Sequence, residues 1–421
     1  MPIKRISVAN FKSFAALDIE LSRFSVVIGS NAAGKSNFIA IFRFLRDIAR
    51  HGLVNAIAMQ GGPEFIRNAT IGTAKDLEIT VVYEPGSRLE IIERQSGEPR
   101  VLGIKSCESS YEFAIRFDPS NGEYEITKDR LVIGCDISTC EYGKEGFVEK
   151  ELIGRGHIEV TSLQGEVNYS VDIPGGCNLK KEEIIPLLFR KKQIQKKTLL
   201  VETPCVYPLP NWEKFFDRIA VYDIDPKLPK NGVAITGKKE LEEDASNLAL
   251  ALKSILDDPE KKRKFSNLLR DILPFVLDFS VEKFMDVSLV LTLRERYARN
   301  IALPAPSLSR GTITIFALII ALYFEDRPFI IIEEPVGHIH PFLVSRVISM
   351  MQESSERGQV MITTHSTEVV KHARLKDILL ISRDIDGFSI VSRPADQKEV
   401  KTFLENEIGL DELFVQNLLG M

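Results

Sequence analysis

Gly29-Ser30-Asn31-Ala32-Ala33-Gly34-Lys35-Ser36 follows directly on the apolar run Phe24 to Ile28. The spacing is that of a phosphate-cradling loop set between a strand and a helix. Two glycines let the backbone curl so that its N–H groups converge on phosphate oxygens. Lys35 then reaches the β- and γ-phosphates, and the Ser36 hydroxyl serves as a ligand for Mg²⁺. Upstream, Val26-Val27-Ile28 reads as a buried strand. Downstream, Phe38, Ile41, Phe42, Leu45 and Ile48 recur at helical spacing up to Gly52, a C-terminal cap. The stretch implies that the chain binds a nucleoside triphosphate; the bland alternative is a Gly-rich turn that binds nothing.

Composition sets the frame. The chain has 421 residues, 44% of them hydrophobic, with a net charge of −5. That is enough to bury a large core, and the length suggests two or three lobes. The opening Met1-Pro2-Ile3-Lys4-Arg5 runs straight into strand-like sequence, so no secretory leader is expected. The longest apolar stretch, Ile313 to Phe324, is twelve residues, too short to cross a bilayer, and reads as a buried helix. The expected location is therefore cytoplasmic, with no membrane partner. Cys107, Cys135, Cys140, Cys177 and Cys205 lack the paired spacing of a zinc site and read as free thiols. Mild net acidity neither demands nor excludes nucleic acid, because a local basic face remains open.

Four regions are expected. Residues 1–165 form an N-terminal lobe with the phosphate loop and a β subdomain. Residues 166–210 form a charged, partly helical insertion, 211–300 a helical and strand subdomain, and 301–421 a C-terminal lobe. Ile3 to Val8 and Ala16 to Glu20 alternate like paired strands. Strands are also expected at Leu77 to Glu84, Leu89 to Glu93, Tyr111 to Phe117 and, after the hairpin signal Asn121-Gly122, at Tyr124 to Thr127. The stretch 178 to 200 is charged and reads as helical without sustained heptads, so no coiled-coil arm is encoded. Residues 239 to 275 look helical, with Leu241, Leu248, Leu252 and Ile255 on one stripe.

The second half supplies carboxylates. Phe329-Ile330-Ile331-Ile332 is a buried-strand run that delivers Glu333-Glu334-Pro335 at its end. One carboxylate fits a Mg²⁺ shell, and the next fits polarisation of an attacking water. Val360 to Thr364 is a further strand run ending in His365-Ser366, which places a histidine within reach of a γ-phosphate. A lone histidine is more often structural. Ser307-Leu308-Ser309-Arg310-Gly311-Thr312 stands at the start of the apolar helix, where a serine and a glycine make either an anion-binding N-terminus or an ordinary N-cap.

Taken in order, these pieces resemble the ABC-type ATPase heads of the SMC/RecF/OLD group. Within it they look like the standalone AAA-labelled members, OLD-like without a Toprim domain, found beside nucleases in anti-phage defence. The matching residues are Ile6 to Phe14, the phosphate loop, Tyr222-Asp223-Ile224-Asp225-Pro226, and Leu241 to Ala249. They continue with Leu308 to Thr312, Glu333-Glu334-Pro335, Ile339-His340-Pro341, Thr363-Thr364-His365-Ser366 and Glu412-Leu413-Phe414. The resemblance implies an α/β P-loop fold of ABC-ATPase type, with a mixed or parallel sheet flanked by helices, an antiparallel β subdomain and a small helical insertion.

It also implies a Mg²⁺-dependent ATPase whose site is completed by two protomers. Gly29 to Gly34, Lys35, Ser36 and Asn37 would hold ATP, and Ser36 and Glu333 the Mg²⁺. Glu334 would orient the water and His365 sense the γ-phosphate. Ser309, Gly311 and Thr312 would come from the opposite copy, making ATP the glue of a homodimer or higher homo-oligomer. Three residues depart from the family: Glu333 stands where Asp is frequent, Val336 where an acidic residue is frequent, and Arg310 where Asp is common. The glutamine loop has only Gln60 as a candidate.

OLD-type relatives carry a Toprim nuclease after the ATPase, whereas only about 55 residues follow His365. Asp384-Ile385-Asp386 imitates part of a Toprim motif, yet its apolar flanks read as a hairpin. The leading expectation is an ATP-dependent sensor or regulator of a separately encoded effector nuclease. A RecF-like repair ATPase that binds double-stranded DNA stays open, with Arg190 to Lys197 and Lys261-Lys262-Arg263-Lys264 as basic clusters. So do a transporter nucleotide subunit, weakened by the β-rich insert, and a scaffold that binds nucleotide without hydrolysing it.

Overall fold

The computed structural model describes residues 3–84, 89–92, 101–120, 122–143, 146–174, 193–203, 212–285, 287–405, 409–416 and 418. Asn121, Cys177, Cys205 and most of the charged stretch 178 to 200 lie outside them. The chain forms two compact units. The first comprises Met1–Leu21, Ser36–Arg218 and Arg383–Val391, and the second Ser22–Lys35, Ile219–Ser382 and Ser392–Met421.

In the first unit an antiparallel sheet orders Phe14–Glu20, Ile3–Phe11, Leu77–Tyr83, Val101–Phe117, Tyr124–Gly143, Gly146–Leu163 and Glu166–Asp172. Leu89–Ile92 pairs beside Val101–Phe117. The first two strands pair as their alternation predicts, with Val8 opposite Leu17 and Phe11 opposite Phe14. The helix Lys35–His51 buries Phe38, Ile41, Phe42, Phe44, Leu45 and Ile48. Its rings sit edge-on to neighbours: Phe38 is 6.3 Å from Phe14 and 5.5 Å from Phe42. Gly52 ends it at φ 81°, with its N–H donating to Ile48 O at 2.9 Å.

Two strands are far longer than their apolar pattern indicates. Tyr111 to Phe117 is the end of Val101–Phe117, and Tyr124 to Thr127 the start of Tyr124–Gly143. Polar residues hide the extension, and cross-strand pairs such as Lys128–Glu112 (2.5 Å) and Arg130–Glu159 (2.6 Å) support it. Asp384 to Gly387 is a turn, as its flanks predict. Asp384 Oδ1 accepts from the N–H groups of Asp386 and Phe388, Gly387 has φ 82°, and Ile385 is fully exposed. The Asp384 carboxylate shapes a loop.

The second unit holds five parallel strands in the order Ile219–Tyr222, Phe329–Glu333, Gln359–Thr364, Phe24–Ile28 and Ile378–Arg383. Such strands are buried on both faces and read as continuous apolar runs, which explains why the sequence located four of them; Ile219–Tyr222 was not expected as a strand. The helix Arg310–Tyr323 is buried from Thr312 to Leu322, as expected for Ile313 to Phe324. Val276–Phe284 and Ser288–Glu295 form an antiparallel pair with two short neighbours, Val233–Ala234 and Leu303–Pro304.

The helical reading of 239 to 275 needs correction. Helices occupy Leu248–Leu256 and Pro259–Ile272, whereas 239–247 is a loop. Asn247 organises that loop by donating to Lys238 O (2.9 Å) and Glu240 O (2.8 Å) and accepting from Glu242 N (2.9 Å). Asp258 caps the second helix and Pro259 opens it, which breaks the run in two. Among the described residues no helix is long and apolar enough to cross a membrane.

Candidate functional site

Parallel strands release their chains at one end of a sheet, and three motifs leave from that end. The loop Gly29 to Gly34 follows Phe24–Ile28, Glu334 follows Phe329–Glu333, and His365 follows Gln359–Thr364, which lies between the other two. The register, Thr364 opposite Ile28 and Glu333 opposite Thr363, sets the three ends level.

The loop is shaped by its small residues. A Cβ on Gly29 would lie 2.3 Å from Ile381 O, so only glycine fits there. Ala32 and Gly34 turn through positive φ, 61° and 119°. Ser30, Asn31 and Ala32 are exposed, while Ala33 and Gly34 are buried. Lys35 Nζ donates to Gly29 O at 2.7 Å and Ser30 O at 3.1 Å. Burial holds its ammonium below the ordinary range, and the nearby Glu334 carboxylate works the other way.

Glu334 occupies a left-handed conformation, φ 43°, which costs a non-glycine residue about 1 kcal/mol. It is held there by its own N–H donating to Thr363 O (3.0 Å) and by Gly337 N–H donating to Glu334 O (3.2 Å). The turn aims its carboxylate at the neighbouring strand end. Oε1 lies 2.7 Å from His365 Nδ1, and Oε2 accepts from Thr364 Oγ1 (3.3 Å) and His365 N (3.4 Å). The Glu334 side chain is 34% exposed and that of His365 68%. A carboxylate oriented by an imidazole and a hydroxyl, close to an ammonium and open to solvent, is equipped to polarise a water molecule beside an anionic group.

Ser309 is the N-cap of Arg310–Tyr323. Its Oγ accepts from Thr312 N at 3.0 Å and lies 2.8 Å from Thr312 Oγ1. Ser309 and Arg310 are exposed and Thr312 is buried. Gly311 is dictated by packing, since a Cβ would approach His338 O to 2.6 Å. Val336 and Ile339 enter the hydrophobic core, and His340 Nδ1 accepts from Phe342 N at 3.3 Å to cap the helix Pro341–Ser355.

Ser36 and Asn37 open the first turn of Lys35–His51, with Ser36 exposed. Asn37 Nδ2 donates to Ser13 Oγ at 2.8 Å. Gln60 closes the short helix Leu53–Met59, its N–H donating to Ala56 O and Ile57 O. Glu333 is half-buried at its strand end. Among the described residues no three His, Cys, Asp or Glu side chains cluster as a metal cage. Mg²⁺ needs no such cage, since it takes one or two protein oxygens from hydroxyls or carboxylates and completes its shell with waters and phosphates. Sequence reasoning passed over Lys230, whose Nζ donates to Leu308 O at 2.5 Å, because an isolated lysine in Leu228-Pro229-Lys230 carries no motif.

Residues 1–151 match the family described as "AAA ATPase domain", and residues 178–371 match that described as "AAA domain, putative AbiEii toxin, Type IV TA system". No curated protein matches the chain. Similar solved structures include an SMC head bound to the C-terminal winged-helix domain of ScpA, at 18% identity and TM-score 0.48, covering 93% of this chain and 97% of that one. The SMC head of Pyrococcus furiosus with an extended coiled coil, bound to the C-terminal domain of ScpA, gives 16% and 0.44, covering 96% and 99%. The SMC head of Thermotoga maritima gives 13% and 0.39, covering 93% and 99%.

Proposed function

We propose that this chain, an AAA-type ATPase with the fold of an ABC-type head, hydrolyses ATP in a site shared by two copies and uses the cycle to govern an effector. The observation that carries the ATPase reading is the convergence of Lys35, Glu334 and His365 at level strand ends. Backbone N–H groups of 29–34 and the Lys35 ammonium bind the phosphates. Glu334 takes the proton from the attacking water, and His365 holds the carboxylate in place through Nδ1. Ser36 and Glu333 would hold Mg²⁺, which neutralises phosphate charge when bound.

Ser309, Arg310 and Gly311 lie at an accessible helix N-terminus, where partial positive charge favours an anion. In this reading they close on the γ-phosphate held by a second copy, so ATP joins the dimer. Glu334→Gln tests it. The variant should retain ATP, accumulate dimers with ATP and lose turnover. Monomers at all ATP concentrations would refute the shared site.

The defence setting is suggested by the description of the family matched by 178–371, an AAA domain named as a putative toxin of a type IV TA system; the regulatory role itself is our proposal. The effector is a separately encoded nuclease in anti-phage defence. Mixing the chain with candidate nucleases and finding neither a complex nor ATP-gated cleavage would exclude it. A second reading, duplex DNA binding, is favoured by the exposed run Lys261-Lys262-Arg263-Lys264 on Pro259–Ile272. Affinity for duplex that falls steeply with salt, and falls further when these four are neutralised, would establish it.

A further inference from the structure

Lys230 belongs to no motif, yet it grips the segment that leads into Ser309. Its ammonium donates to Leu308 O at 2.5 Å and approaches Pro306 O at 3.4 Å. Leu308 is the residue before the cap, and its side chain is buried in the core, 4% exposed. Its carbonyl direction therefore sets where Ser309 and the first turn of Arg310–Tyr323 point.

The lysine is itself anchored. It closes the short helical turn Leu228–Lys230, and Asp225 Oδ1 accepts from Lys227 N at 2.9 Å just before that turn. Asp223 N and Asp225 N donate to Glu243 O (2.9 Å) and Asp244 O (3.2 Å), which ties this stretch to the loop ordered by Asn247. Upstream is the strand Ile219–Tyr222, whose Tyr222 pairs with Ile332, two residues before Glu334. Residues 222–230 thus lead from beside the carboxylate strand towards the Leu308 to Thr312 segment, with the Lys230 side chain making the last link.

We propose that Lys230 is a positioning residue: it fixes the Leu308 to Gly311 segment in the orientation that engages ATP on a second copy, and joins that segment to the strand beside Glu334. The inference rests on the shared-site reading above. A half-buried ammonium on two carbonyls is suited to the task, since charge-assisted hydrogen bonds are short and directional. Its hydrogen-bond acceptors are the carbonyls of Pro306 and Leu308 and not residues of the 29–36 loop, so its loss should spare binding while impairing assembly.

The test uses the full chain with Lys230→Met, Lys230→Arg and, as a control, Glu334→Gln. Four quantities are read: ATP affinity in dilute protein, ATP-dependent dimerisation, kcat and KM, and thermal midpoint. Lys230→Met should bind ATP within about twofold of wild type, while kcat falls and the ATP needed for dimerisation rises by roughly tenfold, the usual scale for a lost charged hydrogen bond. Lys230→Arg, which keeps a cationic donor, should recover most of both. Should Lys230→Met not fold, Lys230→Gln carries the same comparison.

Wild-type dimerisation and turnover in Lys230→Met would overturn the assignment. So would parallel losses of ATP affinity, folding and turnover, which mark a merely structural lysine. If Glu334→Gln itself forms no ATP-bound dimer, the shared-site reading fails and this inference falls with it. If it does form one while Lys230→Met matches wild type, only the role of Lys230 fails.

Discussion

Glu334 Oε1 and His365 Nδ1 lie 2.7 Å apart at the level ends of two neighbouring parallel strands, with Glu334 held in a left-handed turn. Neither residue could be brought there by its own strand alone. The turn after Glu333 redirects the carboxylate, and the Thr363 carbonyl pins that turn by accepting the Glu334 N–H.

Glu334→Gln keeps the shape of this contact but removes the proposed base. Steady-state phosphate release should drop by roughly 10²- to 10⁴-fold. An unchanged rate would move the base to another residue.

Lys35→Ala removes an ammonium whose acceptors are two loop carbonyls. ATP affinity measured by calorimetry should weaken by about 10- to 100-fold, the worth of one or two charge-assisted bonds. Equal affinity would mean that the loop amides alone hold the phosphates.

Gly311→Ala would drive a Cβ to 2.6 Å from His338 O, a backbone atom that cannot swing aside. Thermal unfolding should show a loss of about 1–3 kcal/mol, which outweighs the gain in helix propensity of under about 1 kcal/mol. Gly337→Ala, whose Cβ would meet Glu334 O at an ordinary 3.6 Å, is the matched control.

Asp129 gives the first unit a pH dependence. Its carboxyl is buried, accepts from Tyr111 Oη (2.9 Å) and Leu200 N (2.8 Å), and is pushed up to about 8, chiefly by burial. The half-buried Glu202 nearby is also raised, chiefly by desolvation. The folded chain therefore holds these protons more tightly than the unfolded one. The contribution of Asp129 is fully present below pH ~4 and is lost as pH rises through about 8. The thermal midpoint should fall between pH 5 and 8.5, and Asp129→Asn, less stable at pH 5, should fall less. Identical slopes would dismiss Asp129 as the source.

Val336→Asp would place there the acidic residue that is frequent in the ATPase heads the sequence resembles. Here Val336 is 6% exposed within the core, so an unpaired carboxylate would be buried. The chain should lose several kcal/mol and most of its soluble yield. A fully stable variant would show that the turn 335–339 can invert.

The phosphate loop, the carboxylate strand and the histidine strand were legible because each couples an uninterrupted apolar run to a polar tip, and strands buried on both faces write such runs directly. Long strands such as Tyr124–Gly143 were not legible. Their polar positions are satisfied by partners on adjacent strands, and those partners are distant in sequence. The loop at 239–247 misled because Leu241 falls on the helical stripe, while Asn247 competes for the backbone.

What the amino-acid order determined by itself was chemistry type: glycines where a backbone must curl, a lysine and serine beside them, paired glutamates after a buried run. What only the folded chain decided was convergence. That Glu334 meets His365, that Gly311 is forced by the carbonyl of His338, and that Lys230 holds Leu308 all depend on contacts between segments far apart along the chain. Local spacing encodes which groups a segment carries, whereas the direction in which they point is fixed by the packing of other segments.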